Sequence, residues 1–294
     1  QGDLLPNGRA FPKIGMIEVL KRFQQTEFWK NRNQKPSSGS KKVGVGLAVG
    51  AWLGGGSPSS ASVLINPDGT VNVMVGSNDI TGTNTSFAQI ASEILGLPID
   101  KINVKSGGTG SAPYAGVSAG SKTLRTIGLS VQRAAEDALD QMFKIVSERL
   151  ECSPEDLEAL DGQVRVKGSP EKAISFELLG TMSTGFGSPT PVVLGRGNIG
   201  TPALAPGFTV QGAKVEVDTE TGEVSILDSV CVQDVGYAIN PMSVEGQIQG
   251  ALSQALGIGF SEEMQWNEKG ILLNPGFLDY RVPTALDLPK VQTF

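Results

Sequence analysis

Apolar residues recur with helical spacing at Phe87, Ile90, Ala91, Ile94 and Leu95, which share one face of a helix with about 3.6 residues per turn. Gly96 and Pro98 end that run. A longer stripe of Leu124, Ile127, Val131, Ala134, Ala138, Met142 and Ile145 predicts the longest helix, over 123–150. Ile17, Leu20, Phe23 and Phe28 predict a shorter one over 17–28, followed by a polar loop at 34–42. Elsewhere the pattern suits strands. Residues 43–52 are apolar and glycine-rich, as expected of a strand buried on both faces. Segments 62–65 and 70–75 flank Asn66-Pro67-Asp68-Gly69 and predict a hairpin. A second hairpin is expected from 208–217 and 223–232 around the polar turn at 218–223. Short strands are expected at 102–105 and on either side of Gly162, a pairing between 262–266 and 271–273, and a short helix at 176–182. Ser153-Pro154 and Asn240-Pro241 both read as an N-cap followed by Pro at the first helical position. The second of these opens a helix carrying Gln247 and Gln249. Hairpins alternating with long helices imply an α+β fold, with mixed sheets layered against helices.

Composition narrows the chemistry. The chain has 294 residues, 39% hydrophobic and 18% charged, as in a soluble globular protein. Its net charge of −6 provides no basic stripe for nucleic acid. No run is long enough to span a membrane and no signal peptide is apparent, so a cytoplasmic setting is expected. Gln1 is not preceded by an initiator Met, which implies a chain that has been processed or cut. Cys152 and Cys231 lie far apart, without metal-ligand spacing, and Cys231 falls in an apolar strand pattern that suits a buried thiol. Histidine is absent, which removes His-dependent triads, His-ligated zinc and the usual proton shuttle. An enzyme built on this chain therefore draws its chemistry from a cofactor. The 38 glycines cluster at 44–56, 107–120 and 195–200, where close backbone approach to a ligand is expected.

Three segments carry candidate chemistry. The first runs from Val75 to Thr85 and includes Ile80, Thr81 and Gly82. It places hydroxyls, an amide and free N–H groups at a helix N-terminus, a geometry that attracts anions and polar heteroatoms. A plain helix cap is the competing reading. The second runs from Pro113 to Thr123. Ser118, Gly120, Ser121, Lys122 and Thr123 feed the long helix, the hydroxyls able to donate to a phosphate and Lys122 adding charge. Its spacing is not that of a P-loop, and a capped helix with a mobile approach is the alternative. The third is Gln247, read as a buried amide beside Gly246 and Gly250 that a ligand edge or a neighbouring loop satisfies. Gly44, Gly46 and Gly50 approximate a dinucleotide-binding pattern, but the third glycine comes one residue late.

Together these blocks resemble the molybdenum hydroxylase family, the relatives of xanthine dehydrogenase and aldehyde oxidase. The likeness is carried by GTNTSFAQIASEILGLPIDKINV (82–104), GVSAGSKT (116–123), GAKVEVDTETGEVSIL (212–227), DVGYAINPMSVEGQIQGALSQALG (234–257) and LLNPGFLDYRVPTALDLP (272–289), with GDLLPNGRAFPKIG (2–15) at the start. The resemblance implies two subdomains of the molybdenum-cofactor-binding type: a lead-in at 1–42, a first subdomain at 43–150, a connecting segment at 151–204 and a second subdomain at 205–294. It implies a molybdopterin cofactor with molybdenum, in its cytosine dinucleotide form, and hydroxylation of an aldehyde or N-heterocycle with water as oxygen source. It also implies iron–sulfur and FAD partners and the N-terminal part of the molybdenum subunit. Carried over by position, Ile80–Gly82 face the pterin and metal ligands. Ser118 and Gly120–Thr123 hold the pterin and phosphate end, Gln247 hydrogen-bonds the cofactor, and the run near Trp52 borders the substrate funnel. The chain departs from the family in two places. Ile80-Thr81-Gly82 stands where the family shows Gly-Gln-Gly, which leaves the substrate open. The family's catalytic glutamate lies in a Gly-x-Gly-Glu segment beyond Phe294, so no catalytic or metal-ligating residue is expected here. A middle-to-C-terminal piece of a molybdenum-binding subunit is therefore expected; a non-catalytic scaffold that kept the fold is the alternative.

Overall fold

The structure, a computed structural model, describes residues 3, 4, 8, 10, 12, 14–34 and 38–294. Parts of the expected lead-in and of the 34–42 loop lie outside the described residues. The chain begins with α1 (Met16–Gln24), α2 (Glu27–Lys30), β1 (Lys41–Trp52), β2 (Ser59–Ile65), β3 (Val71–Val75) and α3 (Thr83–Leu95). It continues through β4 (Ile102–Ser106), α4 (Thr123–Leu150), β5 (Leu157–Leu160), β6 (Gln163–Val166), β7 (Ser169–Ser175) and α5 (Phe176–Thr184). It ends with β8 (Leu194–Ile199), β9 (Gly207–Asp218), β10 (Val224–Asp234), α6 (Pro241–Phe260) and β11 (Val291–Thr293). The α+β class is as expected. Two compact units form, one from 1–53 with 205–294 and the other from 54–204. Among the described residues no helix is long and apolar enough to cross a membrane.

The 54–204 unit holds the larger core. Its sheet has the order β4-β3-β2-β8. β2 runs antiparallel to β3 and β8, whereas β3 and β4 are parallel, joined by α3. Val63, Ile65, Val71, Val73 and Val75 alternate inward and are at most 1% exposed; burying each such side chain stabilises by roughly 1.5–3 kcal/mol. α4 crosses β8 closely because the strand presents Gly195 and Gly197 to Ala134, Ala138 and the Ser130 carbonyl. A Cβ on either glycine would collide with α4 backbone. β5, β6 and β7 form a separate three-stranded sheet. Asp161 and Gly162, both at positive φ (52° and 74°), make the tight turn between β5 and β6.

The other unit is built on the sheet β1-β9-β10-β11. α1 and α2 cover one face and bury Val19, Phe23 and Phe28 against Val210, Val230 and Val232. The two Phe rings lie over Gly212, where a Cβ would overlap them. The single helix expected over 17–28 is broken at Thr26, whose Oγ1 accepts from the Trp29 amide at 3.3 Å and starts α2.

Two further expectations need correction. The strand at 43–52 is not buried on both faces: β1 lies at the sheet edge and none of its residues is buried. Its glycines run through one continuous strand, which agrees with setting the dinucleotide pattern aside. The pairing of 262–266 with 271–273 reduces to one bridge, Trp266 to Leu272.

Candidate functional site

Parallel pairing decides where two of the candidate segments go. β3 and β4 run in the same direction, so their C-terminal ends lie at the same end of the sheet. β3 leads through 76–82 into α3, and β4 leads through 107–122 into α4. Loops that leave the carboxyl ends of parallel strands form the usual ligand crevice of open sheets. Here the loops touch. A Cβ at Gly76 would collide with the Pro113 carbonyl oxygen and lie 3.2 Å from the Ala115 Cβ. The Gly107 amide donates to the Val75 carbonyl at 3.2 Å. A third backbone segment joins them: the Gly55 amide donates to the Gly120 carbonyl at 2.6 Å, and Arg125 Nη1 donates to the Gly55 carbonyl at 3.0 Å.

Within the first loop Ile80 and Thr81 are exposed and Gly82 is half-buried. Thr81 and Gly82 are consecutive left-handed residues, with φ of 62° and 78°. That conformation is costly for a β-branched residue. Thr81 Oγ1 donates to the Ile80 carbonyl at 2.6 Å. Asp79 Oδ1 accepts from Asn84 N and Thr83 Oγ1, both at 3.1 Å. The start of α3 is therefore occupied by the chain's own carboxylate. The expectation of an anion site there is corrected: this end suits a neutral edge carrying N–H donors. Ser77 is 3% exposed, and its Oγ has no partner among the described residues; the buried Asn84 Oδ1 is also unpaired. Buried polar atoms without partners are rare in folded proteins; Gln89 Oε1 on α3 and Thr126 Oγ1 on α4 share this state.

The second loop has the opposite character. Gly120 and Ser121 are again a consecutive left-handed pair, with φ of 64° and 61°. α4 begins without a side-chain cap, which leaves the first-turn N–H groups from Thr123 onward to a ligand or water. Ser118 and Ser121 are exposed and Thr123 is half-buried. Lys122 differs from expectation. It is 3% exposed, and its Nζ donates to the Ala115 carbonyl at 2.7 Å. Burial pushes its pKa below the usual lysine value. The ammonium therefore closes the 115–122 loop from inside instead of reaching toward a phosphate.

Gln247 lies on α6 in the other unit. α6 is capped as expected, Asn240 Oδ1 accepting from the Ser243 amide at 3.3 Å. Gln247 itself is exposed, and a Cβ at Gly246 or Gly250 would meet open space. The reading of a buried amide is overturned; water reaches this side chain. Gln249, its neighbour, lines a cleft of about 440 Å³ with Leu252, Ser253 and Lys290. Trp52, at the end of β1, is 60% exposed.

Sequence reasoning missed Ser77, Asp79, Gly55 and Arg125; Asn84 is the amide it placed at this helix start. Asp79 was findable, since a carboxylate just ahead of a Thr-Asn-Thr helix start is a capping signal. The unpaired atoms of Ser77 and Asn84 depend on packing and leave no mark in the sequence.

Residues 18–289 match the molybdopterin cofactor-binding domain family. The chain belongs to this family. It is 31% identical over 268 residues to the carbon monoxide dehydrogenase large chain of Afipia carboxidovorans, covering 85% of this chain and 33% of that protein. Identity is 27% over 306 residues to the xanthine dehydrogenase molybdenum-binding subunit of Escherichia coli O157:H7, covering 100% and 41%. The fold matches the crystal structure of quinoline 2-oxidoreductase from Pseudomonas putida 86 with a TM-score of 0.83 and 26% identity, covering 100% of this chain and 40% of that one. The chain thus spans roughly a third to two-fifths of the length of the relatives it matches. The family resemblance seen in the sequence is borne out. The residues present fit a molybdopterin: Ser77 and Asn84 offer unpaired buried acceptors, and the uncapped start of α4 offers N–H groups.

Proposed function

We propose that this chain grips the pterin and phosphate end of a molybdenum cofactor within a molybdenum-dependent oxidoreductase. The observation that carries the reading is the contact between the two loops at the carboxyl ends of β3 and β4, each with a left-handed pair ahead of a helix. Non-glycine residues persist in such a conformation where surrounding structure holds them, a pattern concentrated at ligand clamps. In this reading the division of labour follows charge. The phosphate takes the uncapped N–H groups of α4 beside Ser118, Gly120, Ser121 and Thr123, where the helix dipole favours an anion. The N–H-bearing pterin edge takes Asn84 and Ser77 near the Asp79-capped start of α3, with Ile80, Thr81 and Gly82 facing the reacting end. Lys122 holds the loop shape from behind. Gln247 is proposed to bond the cofactor across its exposed face.

When bound, the cofactor supplies two-electron oxidation of the substrate. We propose a cytosine dinucleotide form, an aldehyde or N-heterocyclic substrate with water as oxygen source, and a cytoplasmic setting. The rest of the molybdenum subunit and the iron–sulfur and FAD components are the proposed partners. Support comes from the relatives, a carbon monoxide dehydrogenase large chain and a xanthine dehydrogenase molybdenum-binding subunit among them.

The test is cofactor content of the complete subunit carrying Ser121→Asp or Ser121→Asn. Both residues tolerate the left-handed backbone, but only Asp puts an anion at the start of α4. Pterin and molybdenum content are expected to fall at least about tenfold in S121D, the effect of some 1.4 kcal/mol, and to persist in S121N. Equal content in both variants contradicts the reading and favours the scaffold alternative.

A further inference from the structure

The edge of β1 is unusually bare. β1 pairs over its whole length with β9 and has no strand on its other side among the described residues. Which backbone groups point outward follows from the ladder. The Thr219 amide donates to the Ser40 carbonyl at 3.0 Å, so 40 and 219 form a bonded pair. Antiparallel ladders alternate. Lys42, Gly44, Gly46, Ala48 and Gly50 therefore bond β9, while Val43, Val45, Leu47, Val49 and Ala51 aim their N–H and C=O groups away from it. The Lys41 amide, of the outward set, instead bonds the Ser38 carbonyl, which fits this phasing.

Soluble proteins blunt such edges with charges, prolines, bulges or short strands. From Val43 to Ala51 there is neither a charge nor a proline, and the register with β9 is unbroken. Leu47 and Val49 are 44% and 45% exposed. Gly44, Gly46, Ala48 and Gly50 share the other side-chain face, so a neighbouring strand meets little steric obstruction there. The same unit leaves Trp266, Phe277, Leu278 and Leu286 at 56% exposure or more. Apolar surface on this scale marks an interface.

We propose that the outer edge of β1 is a strand-addition site, filled by an extended, uncharged segment from the part of the molybdenum subunit that this chain does not span. The inference rests on reading the chain as part of such a subunit. The occupant is chosen on length. The matched Pseudomonas putida enzyme has 40% of its chain in the aligned region, so most of it lies outside. Main-chain bonds to five outward residues supply affinity, and the glycine-rich face sets how closely the added strand packs.

Hydrogen exchange in the complete subunit, read at single amides, tests this. If the edge is paired, the amides of Val45, Leu47 and Val49 exchange as slowly as those of Gly46 and Ala48, about a thousand-fold or more below the rate of an open amide, at every protein concentration. Fast exchange at the odd positions with slow exchange at the even ones overturns the proposal. Slowing that appears only as concentration rises means self-pairing of two copies and also overturns it. Val49→Pro deletes one outward donor and no bond to β9. It is expected to speed exchange at Val45 and Leu47 while the β9 amides stay slow; unchanged protection would mean a cover other than a strand, and the proposal fails. Pterin content measured on the same samples separates the two readings. A cofactor-loaded subunit with an open edge removes only the strand proposal, and a cofactor-free subunit with a protected edge removes only the cofactor reading.

Discussion

Gly76 and Pro113 are packed so closely that nothing larger than hydrogen fits between the glycine Cα and the proline carbonyl oxygen. This contact fastens the loop after β3 to the loop after β4. Gly76→Ala must push the two apart, and backbone cannot yield as a flexible side chain does. The expected cost is about 1–3 kcal/mol of stability, read as a lower urea midpoint with an unchanged slope. The variant is also expected to lose cofactor while remaining folded.

Relief of backbone strain makes a second, opposite prediction. Thr81, Ser121 and Glu151 all adopt positive φ, at 62°, 61° and 50°. The left-handed conformation costs a non-glycine residue roughly 1–2 kcal/mol, and glycine gives back roughly 0.5–1 kcal/mol in entropy. Each change to glycine should therefore stabilise modestly. Glu151→Gly, at the C-terminal end of α4, is expected to leave cofactor content alone. Thr81→Gly and Ser121→Gly are expected to gain stability and weaken cofactor retention, because the loops lose their fixed shape. Denaturation midpoints and pterin content measured on the three variants check this.

Lys122 provides the pH dependence. Desolvation lowers its pKa below the ordinary 10.5, so the folded state releases this proton at a lower pH than the unfolded state does. Between the lowered value and 10.5 the unfolded chain holds more protons, and stability contributed by this site rises with pH. Below the lowered value the full penalty of burying the charge is present. Lys122→Met lacks this term. The stability of the parent relative to K122M is thus expected to climb as pH approaches 10.5, measured from paired urea titrations. A flat difference would mean the lysine is not desolvated.

Local signals made much of the fold legible. The stripe from Leu124 to Ile145 gave α4, Asn66-Pro67-Asp68-Gly69 gave the β2–β3 turn, and Asn240-Pro241 gave the start of α6, because caps and turns depend on neighbours in the chain. What depends on distant partners was not legible. β8 is absent from the expected strands, since Leu194-Gly195-Arg196-Gly197 becomes a strand through its fit against Ala134 and Ala138. β1 carries the composition of a central strand, yet the sheet order leaves it at the edge. Lys122 and Gln247 were singled out in the sequence but with the wrong surroundings. Whether a long side chain turns inward, as Lys122 does, or stays in water, as Gln247 does, is decided by packing.

The most direct measurement is the position of the cofactor phosphorus in a crystal structure of the complete, cofactor-loaded subunit. The account predicts phosphate oxygens about 3 Å from the first-turn N–H groups of α4, at Thr123 or Leu124, with the pterin edge bonded to Asn84 or Ser77. A phosphate held elsewhere, with Ser77 and Asn84 still unpaired beneath the loops, would contradict it.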